Sequence, residues 1–245
     1  MKQNFPDETF LVRLNTKGSW HRKQYAQYSM LRLKMLYRHP WSTILSNSDR
    51  FLWDLRYILF CHDDHLYLSC FQNQSEKVSG EISPQYFFLP KSQILQIARL
   101  LPYCRILITL RRPIDWVWSF AKMSTKSEFL QKEYGSLDAY IDHKIENCSF
   151  SRAVTNWKEA YGESQVSILF YENLCIDPWN YYKQICEFLG IVPDTTVRSS
   201  LANRVNRGSP DPLSDWCVDK IKEGWREDIL ELSHLEPDIP ASSLT

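Results

Sequence analysis

Short apolar runs alternate with longer amphipathic segments along this chain, and the alternation predicts an α/β fold. The apolar, β-branched run at residues 106–110, within a strand predicted at 105–110, is typical of a parallel strand that is covered on both faces. Residues 165–170 form a second run of this kind, and an amphipathic helix is predicted to follow at 178–189. Because strands that alternate with helices pair in parallel, we predict a central parallel sheet that is flanked by helices.

The same periods predict further elements along the chain. A strand at 9–14 is predicted to lead through a turn at 15–19 into a helix at 20–37, and residues 78–82 are predicted to form a short strand. Gly190 suits the left-handed conformation that ends many helices. The remaining helices are predicted at 50–60, 90–101, 114–123, 136–146, 150–161 and 213–232.

The length and composition of the chain are those of one large domain. Its 245 residues are 44% apolar, which is enough for a substantial core, so we predict a single domain over residues 1–245. Lys and Arg together number 29, as do Asp and Glu, so no net charge draws the protein to nucleic acid or to an anionic membrane. Any anion-binding site must therefore be local.

Cysteine usage and hydropathy indicate the setting in which the protein works. The 7 cysteines form no C-x-x-C pair, which favours reduced thiols, and no metal site is expected. The sequence begins with polar residues and has no apolar run near the roughly 18 residues that a membrane span requires. We therefore expect a cytoplasmic protein without a membrane span.

A basic turn between a buried strand and a helix is the strongest sign of a binding site. Arg111 lies at the carboxyl end of the strand at 105–110, Pro113 fits the first turn of the next helix, and Ser119 lies on that helix. Ligands of open α/β sheets bind at the carboxyl ends of the strands, where an Arg and a Ser hydroxyl can hold a phosphate. The alternative is that Arg111 pairs with a surface carboxylate, and this segment alone favours neither.

Four segments carry a resemblance to a known family. They read Gly-Glu-Ile-Ser-Pro-Gln-Tyr at 80–86, Leu-Arg-Arg-Pro at 110–113 with Ser119, Phe-Tyr-Glu-Asn-Leu at 170–174, and Phe-Leu-Gly-Ile at 188–191. In this order and spacing the chain, from about residue 9 to 232, resembles the sulfotransferases that use 3′-phosphoadenosine 5′-phosphosulfate (PAPS), in their carbohydrate and heparan-sulfate-like branch. The resemblance implies a three-layer fold like that of the P-loop NTPases, and it implies PAPS as donor, without a metal.

The resemblance also implies roles for individual residues. Arg111 and Ser119 would bind the 3′-phosphate of the donor, and the basic turn with Arg207 would provide a second clamp, if it is not simply a surface loop. The loop that holds the 5′-phosphosulfate would be formed by Lys17, Gly18, Ser19, Trp20 and His21, with Lys17 as the catalytic lysine. This loop departs from the family pattern, because Trp20 and His21 replace the usual hydroxyl residues; the alternative is that Lys17 is a solvated loop lysine.

A general base must take the proton of the acceptor, and two carboxylates are candidates. The family has an acidic residue shortly after a His-Pro pair, and Asp49 follows His39-Pro40 at the matching position. The alternative for Asp49 is that it caps a helix starting near Arg50. Glu81 is the second candidate. Glu172, by contrast, is expected to end its strand with a structural hydrogen bond.

The leading hypothesis is a sulfotransferase that moves a sulfuryl group from PAPS to a hydroxyl or amine of a small-molecule or glycan acceptor and releases 3′-phosphoadenosine 5′-phosphate. The altered loop at Trp20 and His21 permits a second hypothesis, a catalytically impaired descendant that still binds nucleotide. A phosphotransferase is a third, although the chain lacks the G-x-x-x-x-G-K-[ST] loop. Neither the acceptor nor the oligomeric state can be predicted from these residues.

Overall fold

The computed structural model describes residues 78–125, 129–201, 213–237 and 239. The chain divides into two units, Met1–Ile82 and Ser83–Thr245, and nearly all described residues belong to the second. The strand predicted at 9–14 and the helices predicted at 20–37 and 50–60 lie outside the described residues. That residues 1–245 act as a single domain stays a prediction.

The described part of the chain contains two strands with helices before, between and after them. Short 3₁₀ turns occur at Pro84–Tyr86, Glu163–Gln165 and Thr195–Val197. The strands are β1 (Ile106–Leu110) and β2 (Val166–Phe170). The helices are α1 (Lys91–Leu100), α2 (Pro113–Thr125), α3 (Phe129–Tyr134), α4 (Leu137–Asn147), α5 (Phe150–Tyr161), α6 (Tyr171–Ile176), α7 (Pro178–Leu189), α8 (Asp215–Gly224) and α9 (Arg226–Leu235).

The two strands pair in parallel, which confirms the predicted sheet type. Ile106 lies opposite Val166, and the register continues residue by residue to Leu110 opposite Phe170. Ile108, Leu110, Val166 and Phe170 are buried. Both strands therefore end side by side, which brings the residues that follow them to the same edge of the sheet.

The boundaries of the helices follow from side chains that complete their terminal hydrogen bonds. Ser136 and Ser149 accept from the backbone of the first turns of α4 and α5, and Asp177 does so for α7, in which Pro178 is the first residue. At the other end of α7, Gly190 is left-handed with φ of 70°. Its N–H donates to Glu187 O while that of Ile191 donates to Cys186 O, the pattern of a Schellman motif.

Helix α5 lies at the centre of the hydrophobic core. Phe150, Val154, Trp157 and Tyr161 recur at helical spacing, and all four are buried. Full burial of a large apolar side chain stabilises a fold by roughly 1.5–3 kcal/mol, so this stripe anchors α5 strongly. The ring of Phe150 meets those of Trp116, Phe88 and Trp225 edge to face, with centroids 5.4–5.6 Å apart.

A carboxylate from α9 fixes the start of α5. Asp228 accepts from the backbone N–H of Phe150 at 2.7 Å, and from the hydroxyls of Ser149 at 2.6 Å and Ser151 at 2.5 Å. A negative charge at a helix amino terminus is favourable, because the first N–H groups have no partner within the helix. The contact ties α9 to the end of α5 where Phe150 lies.

The structure corrects three expectations about individual elements. The helix predicted at 213–232 is two helices, α8 and α9, which meet at Trp225; its buried indole donates to Cys148 O at 2.8 Å. Residues 78–82 form no strand, and Val78 and Ile82 are exposed. The short helices α3 and α6 were not predicted. Among the described helices, none has the length and apolar character needed to span a membrane.

Candidate functional site

The first residues beyond the paired strands form the candidate site. Arg111 and Arg112 follow β1, and Tyr171 and Glu172 follow β2. Since the strands pair with an offset of sixty residues, as in Leu110 with Phe170, the same offset pairs Arg111 with Tyr171 and Arg112 with Glu172. Contacts between the side chains confirm both pairs, so the strand register continues into the site.

Arg111 has a buried donor that no described residue satisfies. Its Cζ lies 5.1 Å from the centre of the Tyr171 ring, a distance suited to a cation–π contact. Its Nε is buried and makes no hydrogen bond within the described part of the chain. An unsatisfied buried donor costs about 1–3 kcal/mol, and a ligand oxygen would remove that cost. Arg111 therefore fits an anion.

Arg112, next in the chain, is neutralised by two carboxylates. Its Nε donates to Asp115 Oδ2 at 2.7 Å and lies 4.0 Å from Glu172 Oε1. Its backbone N–H donates to the same Glu172 oxygen at 3.2 Å. Pairing with a carboxylate, which was the alternative for Arg111, is thus observed for Arg112 instead. Within the described residues, Arg111 itself has no carboxylate at ion-pair distance.

The protein beneath Arg111 is closely packed. A cavity of about 10 Å³ adjoins it, with Leu110, Phe150, Phe170 and Leu232 among its walls. A space of this size is at the lower limit for a single water molecule, and its walls are almost wholly apolar. A nucleotide cannot occupy a cavity of this size, so it is not itself a donor site.

Ser119 is the second described residue of the predicted phosphate site. It lies on α2, the helix that begins two residues after Arg111, and its side chain is exposed. Pro113 is the first residue of that helix, as predicted. The structure therefore brings Arg111 and Ser119 to one strand–turn–helix unit, with the hydroxyl free to meet a ligand from solvent.

The other predicted site residues stay predictions. Lys17, Gly18, Ser19, Trp20, His21, Asp49 and Arg207 lie outside the described residues. Glu81 is described and exposed, in the last residues of the first unit. No group of three or more His, Cys, Asp or Glu side chains suited to a metal ion occurs in the described ranges.

Sequence reasoning missed two participants in this site and misplaced a third. Tyr171 and Asp115 were not singled out, although they contact Arg111 and Arg112. Glu172 makes the expected structural hydrogen bond, but it does so from the first turn of α6, since β2 already ends at Phe170. The signal that could have found Tyr171 and Glu172 is their place directly after a strand that pairs with β1.

A parallel sheet with an arginine at the strand ends defines an α/β protein that is suited to an anionic ligand. A comparison with family models specifies the class: the sulfotransferase domain matches residues 18–210, which is most of the chain. The chain therefore belongs to the sulfotransferase family, whose members are transferases. The match begins one residue after Lys17 and includes Asp49, Glu81, Arg111, Ser119 and Arg207.

A solved structure supports the fold independently. The chain is similar to a crystal structure of a sulfotransferase from Alicyclobacillus acidocaldarius, with a TM-score of 0.54 and 19% sequence identity. The alignment covers 77% of this chain and 78% of the other. No curated protein matches the sequence. The α/β fold with a parallel sheet is thus confirmed.

Proposed function

We propose that this protein transfers a sulfuryl group from PAPS to a hydroxyl or amine of a small-molecule or glycan acceptor. The observation that carries the proposal is the difference between two adjacent arginines. Arg112 has two carboxylates, whereas the buried Nε of Arg111 has no described partner. In a family that transfers sulfuryl groups, an arginine left available at the strand ends suits an anionic donor.

Arg111 and Ser119 would hold the 3′-phosphate of the donor. A guanidinium group offers two parallel N–H donors to a phosphate, and the stacked Tyr171 ring limits the orientations it can adopt. The exposed Ser119 hydroxyl would add a further donor. Arg207 is proposed as a second clamp on the same phosphate.

The loop from Lys17 to His21 would hold the 5′-phosphosulfate. PAPS supplies the activated sulfuryl group, and the Lys17 ammonium would neutralise the charge that develops on the leaving oxygen. The backbone N–H groups of Gly18 and Ser19 need no particular side chain to bind a phosphate. Trp20 and His21 depart from the family pattern. The bulk of the Trp20 side chain would narrow the loop, and the His21 imidazole would supply one hydrogen-bond donor.

A carboxylate would remove the proton of the acceptor. We propose Asp49 for this role, with Glu81 as the alternative base. The pH profile of turnover and substitution by the corresponding amide distinguish these two carboxylates. The base is the residue whose amide variant lowers turnover by about 10²-fold or more, the range that general-base catalysis contributes. The resemblance to the carbohydrate and heparan-sulfate-like branch makes a glycan the first acceptor class that we propose to screen.

Calorimetric titration with 3′-phosphoadenosine 5′-phosphate tests the donor site. We expect micromolar binding by the wild-type protein, little binding of ATP, and an affinity about 100-fold lower in Arg111→Ala, since a charge-assisted pair contributes up to about 3 kcal/mol. Equal affinities of the wild-type and variant proteins would contradict the assignment of Arg111. Absence of any binding by the wild-type protein would refute PAPS as the donor.

Transfer of radioactive sulfate from PAPS tests catalysis itself. Lys17→Ala should lower turnover much more than donor affinity, because the ammonium acts mainly on charge that develops during transfer. Nucleotide binding without transfer to any acceptor in a panel of glycans, phenols and amines would instead identify the catalytically impaired descendant.

A further inference from the structure

The geometry points to Glu172 as a positioning residue that holds the turn between β1 and α2 and so keeps Arg111 available to an anion. The inference rests on the proposed function, because it concerns the same 3′-phosphate site. It assigns to Glu172 a role in ligand selectivity that is exerted through Arg111, as a positioning residue and not as a catalytic one.

The first step of the argument is the register of the two strand ends. Neighbouring residues of β1 and β2 pair with a constant offset, and the side chains of Arg111 with Tyr171 and of Arg112 with Glu172 keep that offset beyond the strands. A slip of the turn by one residue would exchange the two arginines. Glu172 would then face Arg111, which would be neutralised by a carboxylate.

The second step is that Glu172 contacts the backbone of the turn as well as the charged side chain of Arg112. Its Oε1 accepts from the Arg112 N–H and lies 4.0 Å from the Arg112 Nε. Among the described residues, Asp115 pairs only with the side chain of Arg112, which lies three residues earlier in the same segment. The contact of Glu172 with the Arg112 N–H therefore fixes the position of the turn relative to β2, which the contact of Asp115 with the Arg112 side chain does not do.

The third step is burial. The Glu172 side chain is 12% exposed, compared with 29% for Asp115. Hydrogen bonds of a largely buried carboxylate are stronger than those of an exposed one, and water replaces them poorly. Loss of Glu172 should therefore move the turn, whereas loss of Asp115 should leave it in place.

Affinities for two probe ligands separate positioning from general loosening of the fold. 3′-Phosphoadenosine 5′-phosphate carries the phosphate that Arg111 would bind, and adenosine 5′-phosphate lacks it. The dissociation constant for adenosine 5′-phosphate divided by that for 3′-phosphoadenosine 5′-phosphate thus measures selectivity for the 3′-phosphate alone. We expect Glu172→Ala to lower this ratio about tenfold, the effect of losing one charge-assisted hydrogen bond.

Two further variants make the test specific. Glu172→Gln can still accept from the Arg112 N–H, so it should retain most of the selectivity even if Glu172→Ala proves too unstable to purify. Asp115→Asn removes a carboxylate from the same arginine without touching the backbone contact, and its ratio should stay within about twofold of the wild-type ratio.

The outcomes distinguish the inference from the function on which it rests. Wild-type selectivity for the 3′-phosphate that persists in Glu172→Ala would overturn the positioning role while the proposed donor site stands. An equal loss in Asp115→Asn and Glu172→Gln would show that charge, rather than position, is responsible, and would overturn it as well. A wild-type protein without selectivity would refute the 3′-phosphate site and the inference together.

Discussion

The two ends of the β1–β2 pair each carry an arginine, yet the protein uses them differently. At the amino end, Arg105 donates to Phe188 O at the end of α7, and its Cζ lies 6.0 Å from the Phe188 ring centre. Gln165, just before β2, donates to Pro102 O and Cys104 O at 3.0 Å each. The carbonyl oxygens of this end are thus bound by side chains from across the sheet.

At the carboxyl end, no described residue offers such an acceptor to the arginine. Arg111 follows β1 as Arg105 precedes it, but its buried Nε meets no acceptor in the described residues. Most buried polar groups of a folded protein have hydrogen-bond partners. The hydroxyls of Tyr140 and Tyr161 are also buried without a partner among the described residues, so Arg111 differs from them in its charge and in its place at the strand ends. Variants that remove the polar side chains or the tight backbone turn at either end therefore test the comparison.

Arg111→Met should give the largest effect, and it should separate binding from stability. Methionine has a similar length and suits the apolar walls of the adjoining cavity, but it cannot bind a phosphate. We expect the affinity for 3′-phosphoadenosine 5′-phosphate to fall about 100-fold while the free energy of unfolding stays the same or rises by about 1 kcal/mol, because an unsatisfied buried donor is removed.

Calorimetry and urea denaturation measure the two quantities on the same protein. Loss of the Tyr171 contact opposes the gain in stability by about 0.5–1 kcal/mol, which is why the expected rise is small. A fall in the free energy of unfolding of about 0.5 kcal/mol or more would show that Arg111 stabilises the fold at least as much as Arg105 does, and the comparison between the two ends would fail.

Gln165→Ala should have the next largest effect, this time on stability alone. It removes two hydrogen bonds to the carbonyls of the loop before β1, and each such bond contributes about 0.5–1.5 kcal/mol. We expect the free energy of unfolding to fall by about 2 kcal/mol in urea, with nucleotide affinity unchanged. Gln131→Ala, at an exposed position of α3, serves as the control and should change stability by less than about 0.5 kcal/mol. Equal effects of the two substitutions would contradict the role of Gln165.

Gly190→Ala should destabilise the amino end by about 1–2 kcal/mol, because its φ of 70° strains any residue with a Cβ. A Cβ there would also lie 3.2 Å from Arg105 Nη1. Gly135 has a φ of 76° with nothing within 4 Å, so Gly135→Ala reports the backbone strain alone. Thermal unfolding of both variants should show a larger loss for Gly190→Ala. If Gly135→Ala costs as much, the Arg105 contact contributes nothing.

Elements with complete local signals could be predicted from the sequence. Helices α5 and α7 begin and end where predicted, because their apolar period coincides with caps at Ser149, Asp177 and Gly190. The parallel pairing of β1 and β2 followed from the helices between them. Arg111 and Ser119 could be singled out, because the strand–turn–helix signal lies within fifteen residues.

The remaining features depend on contacts between distant segments. The apolar period runs through 213–232, and the break between α8 and α9 occurs where the Trp225 indole reaches Cys148 O, 77 residues away. Helix α6 has six residues, too few to show a period. The partner of Glu172 lies 60 residues back and depends on the strand register, which no local pattern determines.

Arg105→Met should have the smallest effect, since the side chain is exposed and water can replace it. Loss of the bond to Phe188 O should lower the free energy of unfolding by about 0.5 kcal/mol, without a change in nucleotide affinity. Its combination with Gly190→Ala sharpens the comparison. If Arg105 Nη1 crowds the new Cβ, part of the cost of Gly190→Ala should disappear in the double variant. Additive losses in urea would mean that Arg105 Nη1 does not crowd the new Cβ and that the two residues act separately.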